Sequence, residues 1–169
     1  NDTDLAIQAD WLDTVLEENP HHWSVVTFHH PMFSNSSSRD NWRQRGYFLP
    51  VLEEHDVDLV LQGHDHNYAR GNLVNDRLGR SHIHEGTVYV VSVSGPKMYA
   101  LNDGWNWRDN GAEQETRTEY QQLYQLIDVS GDTISYEART ADGAFFDGFE
   151  LTKKNGVKRV VTVDESGRP

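Results

Sequence analysis

Two short histidine clusters are the residues of this chain best suited to chemistry. His29 and His30 close the run SVVTFHHP, and His64 and His66 follow the apolar stretch DLVLQ in GHDHNYAR. Neutral imidazoles ligate first-row divalent metals and iron. Two metals about 3.5 to 4 Å apart could each take one of two closely spaced histidines. Gly63 would let the backbone turn sharply just before the pair, so that the two side chains face different directions. Asp65, between them, is expected as a turn residue or as a carboxylate that orients an imidazole N–H.

These residues can act together only if the elements carrying them converge. Ser24 to Phe28 is β-branched and aromatic, too short for a helix, and reads as a buried strand. Phe48, Leu49, Val51 and Leu52 predict a short helix over Tyr47 to His55, with Pro50 in a first turn or at a kink. VDLVLQG supplies a second strand. A strand-helix-strand unit over residues 24 to 62 makes a right-handed crossover between parallel strands. Both histidine clusters then leave the carboxyl edge of one sheet, where open α/β sheets bind ligands.

The flanking segments complete the frame. Ile7, Trp11, Leu12, Val15 and Leu16 fall on one face of a helix over residues 4–18, capped by Asp2-Thr3-Asp4 and stopped before Asn19-Pro20. SNSSSRDN, residues 34–41, has the composition of a surface loop. Beyond Arg70, the runs TVYVVSV, LYQLIDV, TISYEAR and FFDGFELT, separated by SGP, SGD and ADG turns, predict a mainly antiparallel half. Residues 94–118 read as a long connection. The fold class expected is mixed α/β, with residues 1–155 as one domain part and 156–169 as a terminal strand or frayed tail.

Composition limits what such a domain does. A chain of 169 residues fits a single domain burying roughly 70% of its unfolded surface. The formal net charge of -12 argues against nucleic acid and anionic membranes as partners, and an anionic substrate would need local positive charge. Without cysteine there is neither a disulfide framework nor a thiolate metal site. No apolar run approaches the roughly 20 residues of a membrane span. NDTDLAIQADWL lacks the basic and apolar regions of a signal peptide, so the chain reads as soluble, and either cytoplasmic or already processed.

HHP after one apolar strand and GHDHNY after a second resemble the last two motifs of the calcineurin-like metallophosphoesterases. WSVVTFHHPMFS, VDLVLQGHDHNYAR and GTVYVVSVSGPKMY look most like the purple acid phosphatase branch, and QLIDVSGDTISYEARTADGAFFDGFEL is similar to its closing strands. The resemblance implies the C-terminal half of a metallophosphoesterase β-sandwich flanked by helices. It implies that His29 and His64 share one metal and that His66 holds its neighbour, in a centre of two metal ions, iron with zinc, manganese or a second iron. The implied activity is phosphomonoester hydrolysis, and the implied setting is secreted or periplasmic. Phosphodiester hydrolysis and a non-catalytic, phosphoesterase-like binding module are the alternatives.

Of the motifs DxG, GDxxY and GNHE, which carry the remaining ligands in that family, GDxxY and GNHE do not occur in this sequence, and the single DxG triplet, Asp109-Asn110-Gly111, lies beyond both histidine motifs. The expectation is therefore that a missing N-terminal half of the domain completes the site, and that the chain alone is inactive and prone to self-association through an open strand edge. Asp65 and Arg70 are catalytic candidates, and His30, Tyr68, Lys97 and Tyr99 are candidates for contact with the phosphate-ester substrate. Asn35 and Arg39 occupy the loop where some relatives place catalytic histidines. Trp105 and Trp107 are expected to be buried, His21-His22 to form a solvated turn, and His82 and His84 to be a second HxH pair without a metal role.

Overall fold

A computed structural model describes residues 1–73, 86–92 and 95–168 of the chain. Helix α1 (Asp2–Glu17) opens with a capping box: the Asn1 side chain accepts from the Asp4 amide at 3.1 Å, and the Asn1 amine donates to the Asp4 carboxylate at 3.3 Å. The cap is thus one residue earlier than the acidic cluster predicts. Ala9 and Leu12 face inward with Leu5 and Leu16, while Ile7, Trp11 and Val15 form an outward apolar stripe. The apolar positions of this helix therefore divide between two faces.

Strand β1 (Val25–Thr27), helix α2 (Trp42–Glu54) and strand β2 (Leu59–Gln62) make the crossover unit, and β1 lies parallel to β2 with Thr27 opposite Leu61. Helix α2 begins well before Tyr47, so Pro50 lies in its interior. Burial of Phe48 and Leu52 against α1 and the sheet outweighs the missing Pro50 donor. Strand β3 (Tyr68–Leu73) follows the second histidine cluster directly and is wholly buried. The sequence concealed it, because YARGNL is polar and contains a glycine.

Strand β4 (Val88–Val91) joins the same sheet, parallel to β2 and antiparallel to β3. The sequence placed this run in the antiparallel half, and the structure corrects that. Helix α3 (Trp105–Arg108) and strand β5 (Ala112–Thr118) break up the expected long connection, and β5 pairs with β3. The first sheet thus runs β1-β2-β4-β3-β5. A second, antiparallel sheet is the meander β6 (Leu123–Ser130), β7 (Thr133–Thr140), β8 (Phe145–Lys154) and β9 (Val157–Thr162).

Two cores result. One lies between the first sheet and α1 and α2, and includes Phe33, Tyr89 and Trp107. The other fills the space between the sheets, where Leu59, Tyr68, Val88 and Val90 meet Leu123, Tyr136, Phe149 and Leu151. Charged groups also join the layers. The buried Asp58, just before β2, accepts from Lys153 of β8 at 3.1 Å and from Lys158 of β9 at 3.3 Å. Such interior charges are tolerated because they are paired.

Candidate metal centre

The parallel pairing of β1 and β2 brings both histidine clusters to one edge, and the Gly63 amide donates to the His29 carbonyl at 3.0 Å. His29 Nε2 and His64 Nδ1 stand 2.9 Å apart. The His30 ring lies 4.1 Å from that of His64 and 5.3 Å from that of His29, centroid to centroid. His29 and His30 both lie beyond the end of β1, where strand alternation no longer holds, so both rings approach His64. Burial pushes the His64 imidazole below its ordinary pKa, helped by the Arg39 charge and by His30 and His29. His30 is lowered as well, by burial first and then by His29 and Arg39. Both rings therefore favour the neutral form that a metal requires.

His66 is directed elsewhere. Its Nδ1 lies 2.8 Å from the Lys97 carbonyl oxygen, and its ring stacks on Tyr99 at 4.9 Å, with the Lys97 ammonium 5.3 Å from the centre of that phenol. The structure thus brings Lys97 and Tyr99 to this histidine. The sharp turn is not made at Gly63. His64 and His66 themselves take φ of +70° and +55°, in the left-handed region where a non-glycine residue stores roughly 1–3 kcal/mol of strain. That conformation aims the two imidazoles apart.

Asp65 does not orient an imidazole. Its buried carboxylate accepts from Ser34 Oγ at 2.9 Å, from the Asn35 amide at 2.6 Å, and from Arg39 Nη1. Asn35, also buried, accepts from Trp107 Nε1 at 2.9 Å and from Gln114 Nε2 at 2.5 Å. Ser34 and Asn35, the first two residues of the loop expected at the surface, are therefore interior. The sequence singled out Arg39 only for the histidine missing there, since its partner lies 26 positions away and no local pattern reveals the pair.

Tyr68 and Arg70 are corrected outright. Both are buried between the sheets, where the Tyr68 hydroxyl donates to Asp147 at 2.7 Å and Arg70 grips the same carboxylate through Nε at 2.7 Å and Nη2 at 2.9 Å. Alternation along β3 sends these two side chains to the sandwich interior, so neither is placed to meet a substrate. Trp107 is buried as expected and Trp105 half-buried. His21 and His22 are exposed, and His82 and His84 lie outside the described residues.

The donors fit a share of a metal site. A separation of 2.9 Å suits two nitrogens facing one cation, and a carbonyl on one nitrogen of a ligating histidine is the usual means of fixing its tautomer. The share is incomplete, because among the described residues no group of three His, Cys, Asp or Glu is arranged to hold a metal ion.

Comparison with known proteins gives the class. Residues 1–68 match the family model for calcineurin-like phosphoesterases. Purple acid phosphatases 17 and 3 of Arabidopsis thaliana are 36% and 34% identical over 55 residues, covering 32% of this chain and 16% and 15% of theirs. The chain thus matches about a sixth of the length of these relatives. Among solved structures, purple acid phosphatase PPD1 from yellow lupin (Lupinus luteus) seeds superposes with a TM-score of 0.64 at 16% identity. That match covers 88% of this chain and 28% of the lupin one. GAP50, described as the anchor in the inner membrane complex of Plasmodium, gives 0.60 at 18% identity, over 90% and 43% of the two chains. The fold is that of the purple acid phosphatase-like metallophosphoesterases, a mixed α/β arrangement of two sheets with few helices. In sequence the chain is thus similar to the calcineurin-like phosphoesterases over residues 1–68, and over 55 residues to purple acid phosphatases.

Proposed function

We propose that this chain is the C-terminal half of the catalytic domain of a metal-dependent phosphatase that hydrolyses phosphomonoesters. The observation that carries the reading is the pair His64 and His66, both held in strained left-handed conformations, with His64 2.9 Å from His29. Backbone strain of this kind clusters at functional sites. His29 and His64 would hold one metal and His66 its neighbour, the two being iron with zinc, manganese or a second iron. When bound, such a pair activates water and neutralises charge on phosphoryl oxygens. The chain's own part is to present neutral imidazoles in fixed directions, with Lys97 and Tyr99 beside His66 and His30 beside His64 as substrate contacts. The reading carries an exported setting with it, as the resemblance implies.

The missing oxygen ligands would come from a complementary N-terminal half. Strand β1 is at the edge of its sheet with Val25 exposed, and the stripe Ile7, Trp11 and Val15 lies open on α1. Both features suit an added strand and helix. Alone, the chain should self-associate, and a salt-insensitive monomer in ultracentrifugation would refute that. The central test is metal analysis with hydrolysis of a generic aryl phosphate, by this chain and by one extended upstream. An extended protein that is inert with both metals loaded overturns the enzyme reading.

The second reading, a non-catalytic binding module, draws on the missing bridging carboxylate, since Asp65 is committed to Arg39. Ligand binding that survives His64→Ala would favour it. Comparing diester with monoester turnover separates a phosphodiesterase from the first reading.

A further inference from the structure

We infer that Arg39 is a substrate-contact residue, a fixed guanidinium that receives the phosphoryl group beside His30 and His64, and that the buried Asp65 is the residue that positions it. The inference rests on the phosphatase reading and assigns a group where the family's loop histidine is lacking.

The first support is charge. The protein carries a net charge of -12, so a dianionic ester needs a local cation at the histidine edge. Arg39 is one, because it is bonded to Asp65, the residue between His64 and His66. The second is placement. Among the described residues, Asp65 is the partner bonded to the Arg39 guanidinium, through Nη1 alone, and the side chain keeps about 25% of its surface open while that of Asp65 is 0% exposed. A guanidinium has five N–H donors in a planar fork. Anchoring one nitrogen to a buried carboxylate leaves others for a bidentate grip on phosphate.

The third support is rigidity. The loop bearing Arg39 is tied down along its length. Ser34 N donates to Asn106 at 2.7 Å, Asn102 N donates to the Asn35 carbonyl at 2.7 Å, Asn41 donates to the Pro31 carbonyl at 2.8 Å, and Arg45 donates to the Met32 carbonyl at 2.9 Å. A cation on such a frame loses little further freedom when it binds an anion. A buried aspartate placed between two strained histidines then has a purpose, since the turn that aims the imidazoles also fixes the arginine.

The experiment is an NMR titration of the metal-free chain with inorganic phosphate, following Arg39 Nε–Hε and the histidine ring signals. Saturable shifts confined to Arg39, His30 and His64 are expected. Arg39→Gln should weaken phosphate about ten-fold, the loss of one charge-assisted contact. Arg39→Lys should recover part of that loss. Ser34→Ala removes a different donor to Asp65 and keeps the cation, so it should change affinity less than about three-fold. Phosphate binding unchanged in Arg39→Gln, or an equal loss in Ser34→Ala, overturns the inference, as does the absence of any shift at Arg39. Zinc titration of the same proteins keeps the two readings apart: loss of zinc binding in His64→Ala belongs to the metal site, and Arg39→Gln should bind zinc as the parent does.

Discussion

Replacing Arg70 with methionine should unfold much of the margin that keeps the two sheets together, without touching the histidine edge. Arg70 is 1% exposed and donates twice to Asp147 of β8, at 2.7 and 2.9 Å, and once to Thr162 of β9 at 3.1 Å. Asp147 also accepts from Tyr68 at 2.7 Å and from Thr116 at 3.3 Å. Methionine keeps most of the buried volume but leaves the carboxylate without its cation. Breaking a buried pair from one side costs about 3–5 kcal/mol, against a total stability of roughly 5–15 kcal/mol for a domain. With a urea slope of about 2 kcal/mol per molar, the unfolding midpoint should fall by about 2 M. Tryptophan fluorescence in urea would measure it. Arg70→Met with Asp147→Leu should regain most of the loss, because both charges then leave the interior. A midpoint unchanged in Arg70→Met, or a loss of phosphate affinity in place of stability, would refute the assignment of Arg70 to the interior.

Other outcomes follow from the same geometry. His64→Gly should abolish zinc binding yet leave stability within about 1 kcal/mol of the parent, because glycine takes φ of +70° without strain; calorimetry with and without zinc tests both halves. Gly71→Ala should destabilise by the upper end of roughly 1–3 kcal/mol or more, since the new Cβ would lie 2.1 Å from the Glu113 carbonyl oxygen and 2.6 Å from the Trp107 ring. Burial raises the phenols of Tyr68, Tyr89 and Tyr136 above the ordinary value of 10.0. The folded state then holds protons that the unfolded chain releases, so the stability these groups contribute is present below pH 10 and lost above it. Absorbance at alkaline pH should show three of the seven tyrosines ionising only as the fold opens.

What the sequence determined by itself was local and periodic. The apolar runs ending in HHP and GHDH were legible as strands with reactive tips, the crossover rule made them parallel, and the structure brings His29 and His64 to 2.9 Å. The spacing of turn residues likewise marked out the closing meander, because a hairpin's register depends on residues a few positions apart. Tertiary structure decided the rest. Arg70 follows the motif closely and read as a catalytic candidate, yet strand β3 turns it into the sandwich toward Asp147, 77 positions away. Asp65 looked like a partner for imidazole and is instead held by Ser34, Asn35 and Arg39. The turn at His64 was assigned to Gly63 and is made by the histidines. In each case the deciding contact joins segments distant in sequence. A charged side chain takes whichever partner removes it from water at least cost, and only the packed chain fixes which partner is within reach.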